Sequence, residues 1–477
     1  RWKIKVGNGA PARSFFTLLV NKFREKAEAQ QFAQEIEKKY QVPPRIKTVG
    51  GEIYVKENLV YNSTQYWLLV GEFSELKEAR LFARRTFPEY PCRVISEIAE
   101  KAKGGIEIFD SEYEKLAEAE DLLRVIPESA EPDSYVIEIS ANWSFQKKEK
   151  EYRTFRGIIE FRLDNQGKLS IVAEVPIEEY VTNALSLEMN PQFPDEALKA
   201  QAIAIRSKAL ANLGLKHFNE SYHLCSGPHC QVFKGWVSVD PRVRQAVHET
   251  VTQVITYNNQ PLEAYFDLMC GGYTEDIKNI TDSNFDDYFS SIFDGPKEAR
   301  SNPKQTLSDE DTLKEWVFSK PDVFCNLYKQ PVPDFLKSAQ KYFRWEIDYS
   351  RKELEEILLE KTGIDFGTIY DIIPLKRGVS GRLLAIEILG SRKNVQLEGE
   401  DTIRNAFSKN KLNSSCFLIT KELDEEGIPY SFTLSGAGYG HGAGLCQVGA
   451  AIMAQQGFDH RKILAHYFPK TKIKSVY

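Results

Sequence analysis

"VPIEEYVTNALSLEMNPQFPDEALKAQAIAIRSKAL", residues 175–210, is the stretch on which the fold of the larger part of this chain depends. Pro176 stands where the first turn of a helix tolerates proline. Apolar residues then recur at helical spacing, namely Ile177, Val181, Ala184 and Leu185. "NPQFP" interrupts that helix, and a second helix begins with Asp195 and Glu196 in its first turn. Because strand-like sequence lies on both sides of this helix pair, the sequence predicts an α+β fold.

Two charged residues on these helices are candidates for chemistry. Glu188 follows Ile177 by three helical turns, which places it within about 20° of the same direction, on the buried-facing side. It also ends the helix, where the dipole disfavours negative charge, and both effects raise the pKa of a carboxyl group. A carboxyl that keeps its proton near neutral pH suits general acid catalysis of glycoside cleavage. Arg206 flanks the apolar stripe of the second helix, so a buried structural ion pair with Glu188 is the alternative interpretation.

Composition limits the class of protein. The chain has 477 residues, 42% of them hydrophobic and 27% charged, which is typical of a globular protein with two or three cores. Its net charge of −6 argues against a nucleic-acid partner. No apolar run approaches the ~18 residues that cross a bilayer. Since the chain starts at Arg1, we expect an upstream segment. A secretory signal there would make the protein extracytoplasmic.

The first hundred residues contain a repeat. "LLVNKFREKAEAQQFA" (18–33) and "LLVGEFSELKEARLFA" (68–83) align without gaps, each predicting a strand, a turn and a helix. With the strands that follow each helix, residues 1–98 are predicted to form a βαββαβ ferredoxin-like module. Residues 99–133 are charged and end in Pro and Ser, which favours a linker with one surface helix. Residues 134–477 are predicted to form a larger mixed α+β catalytic domain with an inserted subdomain at 275–430.

A Cys/His loop, "YHLCSGPHCQVFKGW" (222–236), is a candidate metal site. His223, Cys225, His229 and Cys230 offer two thiolates and two imidazoles, a tetrahedral zinc set, although one loop rarely supplies all four ligands. A Cys225–Cys230 disulfide is the alternative in an oxidising compartment. In either case we expect a structural role and no cofactor in catalysis.

A glycine-rich segment near the C-terminus, "GAGYGHGAG" (436–444), lacks the Lys-Ser/Thr of a phosphate loop. We interpret its glycines as allowing backbone to approach a sugar closely, with Tyr439 as a stacking face and His441 as a polar contact. A tight turn with a satisfied His441 is the alternative.

Both parts of the chain resemble known families. "YWLLVGEF" (66–73) and its alanine-rich helix resemble the sporulation-related repeat (SPOR) family, which binds glycan strands stripped of stem peptides; another small ferredoxin-like module is the alternative. Residues 175–210 resemble the signature of the stage II sporulation protein D/LytB family. A second match is "SGAGYGHGAGLCQVGAAIMAQQGFDHRKILAHYFPKTKI" (435–473), supported by "CGGYTED" (270–276), which contains Tyr273. The resemblance spans roughly residues 150–477.

The family resemblance implies a peptidoglycan lytic transglycosylase. Glu188 would be the catalytic acid, Arg206 would line the site, and Tyr273, Tyr439 and His441 would contact peptidoglycan glycan strands. The resemblance also favours zinc at the Cys/His loop. Some relatives are amidase enhancers, so a non-catalytic peptidoglycan binder that stimulates a cell-wall amidase is the rival. A zinc hydrolase is a weaker third alternative.

The sequence does not decide how three further cysteines are paired. Cys270 and Cys446 stand where the family commonly has serine, and both fall in motifs expected at the cleft. They could pair as a disulfide or remain free thiols, and Cys325 is a third candidate partner.

Overall fold

The computed structural model divides into two compact units, which are described separately. The first comprises Arg1–Leu187, Ala209–Val239 and Val476–Tyr477, and the second comprises Glu188–Lys208 and Asp240–Ser475. The predicted boundary at 134 is therefore not where the units divide. The structure describes residues 2–55, 57–90, 92–127, 134–141, 149–280, 288, 291–296, 298–299, 306–329 and 331–477.

Each repeat of the first unit forms a strand followed by a helix, as predicted, and a hairpin is added between the two repeats. The elements are β1 (Lys3–Ala10), β2 (Arg13–Phe23), α1 (Lys26–Tyr40), β3 (Pro44–Val49), β4 (Glu52–Val55), β5 (Asn58–Asn62), β6 (Gln65–Phe73), α2 (Leu76–Thr86) and β7 (Arg93–Glu100).

The repeat strands are central in an antiparallel sheet of order β3-β6-β2-β7. Alternation along β2 sends Leu18 and Val20 into a core that includes Ile36 of α1 and Ala79 of α2. Leu19 points to the opposite face, into a second core with Leu69, Trp67 and Leu215. Both faces of the sheet are therefore covered, which explains the almost continuous apolar run in each repeat strand.

The segment 99–133 was predicted to be a linker with one surface helix, and this prediction is wrong. Its described residues contain strands: β8 (Lys103–Phe109) pairs with β1, and β10 (Leu122–Val125) pairs with β13 (Ile159–Leu163). Ile106 packs in a core with Phe161, whereas the next residue, Glu107, forms ion pairs with Lys5 and Lys115. The many charges that favoured a linker lie on the other side of a period-two pattern.

The first unit continues with strands that pair as antiparallel hairpins and with the first predicted helix. These elements are β9 (Lys115–Ala119), β11 (Ser134–Ala141), β12 (Glu149–Arg156), β14 (Leu169–Ala173) and α3 (Ile177–Glu188). The predicted apolar face of α3 is confirmed, because Val181, Ala184 and Leu185 are fully buried.

Helix α4 (Asp195–Asn212) begins where the sequence places it but is not amphipathic. Its sequence predicted one apolar stripe with Arg206 beside it. Instead, Arg206 and Gln201 are as buried as Ile203 and Ala204. Small alanine side chains allow neighbouring backbone to approach this helix from several sides.

The second unit contains the predicted insertion. Its elements are α5 (Pro241–Glu249), β15 (Gln253–Tyr257), β16 (Gln260–Pro261), β17 (Phe266–Asp267), α6 (Glu310–Phe318), β18 (Arg344–Ser350), α7 (Arg351–Thr362), β19 (Ile369–Arg377), β20 (Leu383–Gly390), β21 (Asn394–Glu398), α8 (Glu400–Ala406), β22 (Phe417–Leu423), β23 (Pro429–Ala437), β24 (Leu445–Cys446), α9 (Gln447–Gln455), α10 (His460–Tyr467) and β25 (Lys472–Ser475). Short 3-10 helices span Ile277–Asn279 and Asp334–Tyr342.

Two antiparallel sheets, β18-β23-β22 and β19-β20-β21, share the core of the insertion with α7 and α8. The sheet β16-β15-β25 and the parallel pair β17-β24 lie in the same unit. The observed fold class is mixed α+β, as predicted. Within the described residues, none of the helices combines the length and apolar character needed to cross a membrane.

Glu196, in the first turn of α4, has a carboxyl group with an unusually low pKa. The backbone N–H of His460 donates to Glu196 at 2.7 Å, and Lys199 Nζ lies 2.8 Å from the same carboxylate. Burial opposes ionisation, but these bonds outweigh it and lower the pKa of Glu196 from 4.5 to about 2.

We expect Glu196→Gln to lower the free energy of unfolding at pH 7 by about 2 kcal/mol, discounted for partial exposure. Because the folded-state pKa is depressed, this contribution is present above the unfolded pKa and is lost as pH falls from about 4.5 towards 2. Urea unfolding at pH 7 and pH 3 measures the difference between wild type and variant. The exposed Glu360→Gln serves as the control, and an equal loss at both pH values would contradict the assignment.

Candidate active site and metal-ligand clusters

Glu188 is the last residue of α3 and is half-buried. The turn that follows it is fixed by Arg242 at the start of α5. Arg242 Nη1 donates to the carbonyl oxygen of Pro191 at 2.7 Å and its Nη2 donates to that of Phe193 at 3.0 Å. From the insertion, the Phe335 ring packs on Phe193 with centroids 4.9 Å apart. Elements distant in sequence therefore hold the backbone immediately after the candidate acid.

Arg206 lies in the interior, with 0% of its surface exposed. Its Nη1 donates to the carbonyl oxygen of Gln253 at 3.0 Å. The neighbouring Ser207 accepts a hydrogen bond from the backbone N–H of Ile255 at 2.8 Å. Arg206 is thus tied to strand β15, a position that suits holding structure rather than direct contact with a polymer.

His441 is a neutral hydrogen-bonding group in this environment. Its Nδ1 accepts from the backbone N–H of Ala443 at 3.0 Å, so the ring proton is on Nε2. Burial, reinforced by the positive charges of Lys208 and Arg404, lowers the pKa of His441 to about 3. The Tyr265 ring stands edge-on to the imidazole, with centroids 5.8 Å apart.

Helix α4 reaches the glycine-rich segment through strand β17. Lys208 Nζ lies 4.9 Å from the ring centroid of Tyr265 and 5.0 Å from that of Phe266. Phe266 in turn pairs with Leu445 in the parallel bridge to β24. The structure therefore brings together α4 and His441, two parts of the predicted site that are more than 200 residues apart in sequence.

The glycines of 436–444 serve a different purpose from the predicted approach to a sugar. A Cβ at Gly442, where φ is +80°, would lie 2.1 Å from Cζ of Arg382. A Cβ at Gly440 would lie 2.5 Å from Cβ of Asp267, and one at Gly444 would lie 2.0 Å from the carbonyl oxygen of Tyr265. These glycines are required by the protein's own close packing, which corrects the earlier interpretation.

The packing around Gly442 contains buried charges that the sequence analysis missed. Arg382, fully buried, donates to Ser380 Oγ at 3.0 Å and to the carbonyl oxygen of Cys270 at 3.2 Å. Asp267 accepts from the backbone N–H of Gly442, and burial raises the pKa of Asp267. Glu275 accepts from Ser380 Oγ at 2.6 Å. In the sequence, Arg382 directly follows Gly381 and Glu275 lies in "CGGYTED", but nothing there marks Asp267.

The two predicted stacking tyrosines have different surroundings. Tyr439 is 37% exposed and its ring centroid lies 4.4 Å from that of Tyr342, so together they present an aromatic surface. Its backbone is fixed by reciprocal hydrogen bonds with Met269, of 3.1 and 2.8 Å. Tyr273 is half-buried, forms a β-bridge with Phe293, and burial raises its pKa.

The Cys/His cluster differs from the predicted set by one ligand. His217, Cys225, His229 and Cys230 have ligand atoms within 4.8 Å of one another, and His223 is not among them. His217 Nε2 lies 3.2 Å from Cys230 Sγ, and His229 Nδ1 lies 3.8 Å from Cys225 Sγ. His217 comes from the segment after α4, which agrees with the rarity of four ligands on one loop.

This donor set of two thiols and two imidazoles fits tetrahedral zinc. The hydrogen bond between the two thiols lowers the pKa of Cys225 and raises that of Cys230. The two sulfurs are not joined in a disulfide in this structure.

Cys270, Cys325 and Cys446, whose pairing the sequence left undecided, belong to a second cluster. All three thiols come together with the carboxylate of Asp294, their ligand atoms within 4.8 Å of one another.

Comparison with known proteins supports the family resemblance. Residues 165–257 match the family model described as Stage II sporulation protein, a range that includes Glu188, Arg206 and the corrected Cys/His cluster. Residues 275–444 match a second model, described only as a domain of unknown function (DUF8618). That match begins where the sequence placed the inserted subdomain.

Three relatives illustrate the range of similarity. Stage II sporulation protein D of Bacillus subtilis is 27% identical over 66% of this chain and 77% of its own length. An uncharacterized protein of Brachyspira hyodysenteriae is 27% identical over 62% of this chain and 66% of its own length. The amidase enhancer of Bacillus subtilis is 24% identical over 60% of this chain and 39% of its own length. Together they support the stage II sporulation protein D/LytB resemblance and a role related to the cell wall.

The packing of Gly442 generates a stability prediction. We expect Gly442→Ala to lower the free energy of unfolding by about 3 kcal/mol, because the new methyl meets Arg382 and the backbone is strained. Gly427→Ala is the matched control, since Gly427 has φ of +76° but nothing within 4 Å of its Cβ position. The loss of stability in Gly427→Ala therefore measures the cost of the backbone strain alone, about 1 kcal/mol. Equal losses in urea unfolding would show that the contact with Arg382 costs nothing.

The cluster contains His217 and not the predicted His223, and this difference leads to a second prediction. If the cluster binds zinc, His217→Ala will lower the zinc content of purified protein by about one equivalent, because it removes one of four ligands. The exposed His223→Ala is the matched control and should retain its zinc. Elemental analysis by mass spectrometry measures both. If only the His223→Ala variant lost zinc, His223 and not His217 would be the fourth ligand, as first predicted.

Proposed function

We propose that this protein cleaves peptidoglycan glycan strands as an extracytoplasmic lytic transglycosylase, with Glu188 as general acid and base. The observation that carries the proposal is the position of Glu188. It ends α3 at a half-buried site, next to a turn fixed by Arg242, within the residues that match the Stage II sporulation protein model. A half-buried carboxyl can be reached by substrate and still be shielded from bulk water.

The proposed reaction needs one carboxyl group. Glu188 donates its proton to the oxygen that bridges N-acetylmuramic acid and N-acetylglucosamine, and the glycosidic bond breaks through an oxocarbenium-like state. The C6 hydroxyl of the muramic acid then attacks C1, and the ionised Glu188 accepts the hydroxyl proton. The products are a 1,6-anhydromuramic end and a free N-acetylglucosamine hydroxyl. Glu188 returns to its protonated form.

Other residues of the second unit support this chemistry by position. Arg206, buried and bonded to β15, keeps α4 in place and is proposed as a positioning residue. Exposed Tyr439, with half-buried Tyr342 beside it, offers a surface on which a pyranose ring can pack. His441, neutral with a proton on Nε2, is a donor suited to a sugar oxygen.

The remaining parts are proposed to bind rather than react. Zinc held by His217, Cys225, His229 and Cys230 would brace the loop as a structural ion, and no catalytic step is assigned to it. The N-terminal module, through its SPOR-like resemblance, is proposed to bind stripped glycan. Linking two modules with one ligand raises the effective concentration of each at the polymer.

A second candidate function is stimulation of a cell-wall amidase without catalysis. The relative named as an amidase enhancer favours it. In that case the same surface would bind glycan and Glu188 would have no chemical role.

The deciding experiment incubates wild type and Glu188→Gln with glycan strands, with and without stem peptides, and identifies the products by mass spectrometry. We expect 1,6-anhydromuramic ends from wild type, most rapidly from stripped strands. Activity should fall at least 100-fold in Glu188→Gln, because general acid catalysis typically contributes ~10²–10⁴ in rate.

Glu179→Gln is the matched control, because it makes the same change in the first turn of the same helix. It should cleave like wild type. Products with reducing ends would show that water is the nucleophile. If neither protein cleaves but both bind glycan and stimulate an amidase equally, the enhancer function replaces the enzyme.

A further inference from the structure

A cluster of three thiols and one carboxylate lies in the interior of the second unit. Exposure is 2% for Cys270 and 0% for Cys325, Cys446 and Asp294. Their ligand atoms all lie within 4.8 Å of one another. Groups of this kind are expensive to bury as anions unless a cation or hydrogen bonds compensate them.

We propose that Cys270, Cys325, Cys446 and Asp294 form a second, closed zinc site, separate from the Cys/His cluster. Three thiolates and one carboxylate give four donors, the number that a structural zinc ion takes, and thiolates favour zinc over magnesium or calcium. No position remains open for water, so the ion is structural. This site does not depend on the proposed enzymatic function.

The sulfur spacing favours a shared metal over a disulfide. Cys270 Sγ and Cys325 Sγ are 3.7 Å apart. Two sulfurs on one tetrahedral zinc, each at about 2.3 Å from the metal, are separated by about 3.8 Å. A disulfide requires about 2.05 Å. Asp294 Oδ2 lies 3.1 Å from Cys270 Sγ, so an ion would move this oxygen outward by about 0.5 Å.

The surroundings resemble those of metal-bound thiolates and carboxylates. Backbone N–H groups point at sulfur, from Cys270 and Gly449 to Cys446 Sγ and from Gly272 to Cys270 Sγ, each at 3.4 Å. The Tyr467 hydroxyl donates to Asp294 Oδ1 at 2.7 Å, and Oδ2 is the carboxylate oxygen that faces the thiols. Such outer contacts orient ligands and stabilise their charged forms.

The ligands come from segments that need a cross-link. Cys446 is in β24 and Cys270 follows β17, its parallel partner. Asp294 and Cys325 come from the first part of the inserted subdomain, on either side of the stretch that contains α6. One ion would fasten that stretch to the β17-β24 pair. Arg382 also bonds there, to the carbonyl oxygen of Cys270.

The test measures zinc per chain by elemental mass spectrometry in protein purified without chelators. Wild type should hold about two equivalents and Cys225→Ser/Cys230→Ser about one. Cys270→Ser/Cys446→Ser should also hold about one, and it is expected to fold because the resembled family commonly has serine at both places. Cys92→Ser, a half-buried thiol of the first unit, is the control and should leave the zinc unchanged.

A second readout uses the Cys225→Ser/Cys230→Ser protein loaded with Co²⁺. Absorption bands of thiolate-bound tetrahedral cobalt are expected, and they should disappear on adding Cys325→Ser. The proposal would be overturned if wild type held about one equivalent of zinc and Cys225→Ser/Cys230→Ser held none. A Cys270–Cys325 or Cys325–Cys446 disulfide in non-reducing peptide mapping would also overturn it.

Discussion

The second unit depends on a guanidinium group that has no access to solvent. Arg382 bonds to Ser380, to the carbonyl oxygen of Cys270 and, at 3.5 Å, to that of Gly440. A buried cation is stable only when hydrogen bonds and nearby anions offset its lost hydration. Asp267 and Glu275 lie close enough to interact electrostatically with it. The glycine-rich segment, the "CGG" segment and β20 are thereby fixed relative to one another.

This arrangement also separates structural carboxylates from the candidate catalytic one. The carboxylates around Arg382 and in the thiol cluster are buried and accept hydrogen bonds. Asp267 accepts from Gly442, Glu275 from Ser380, and Asp294 from Tyr467. None of these three could reach a glycan without dismantling the interior. Glu188 differs because it is half-buried at a helix end, beside a turn that Arg242 holds from outside the helix. Glu188 therefore combines accessibility with a fixed backbone.

Features encoded by nearby residues were predictable from the sequence, and features made by distant residues were not. Helix α3, the start of α4 and the repeat strands followed from periodicity and capping, which act within a few residues. His217 was missed because it lies outside the Cys/His loop and meets Cys230 only in the folded chain. Strands β8 and β10 of 99–133 were missed because their partners, β1 and β13, lie far away in sequence.

Cys270 and Cys446, which stand where the resembled family commonly has serine, are best understood together. Either one alone would be an ordinary buried thiol, without consequence for the fold. In this chain Cys270 and Cys446 occur with Cys325 and Asp294, and the latter two come from the inserted subdomain. Half of the cluster thus belongs to the β17-β24 pair and half to the insertion. In the proposed zinc site, Cys270 and Cys446 supply two ligands, and Cys325 and Asp294 of the insertion supply the other two. The cluster therefore joins the insertion to the two motifs.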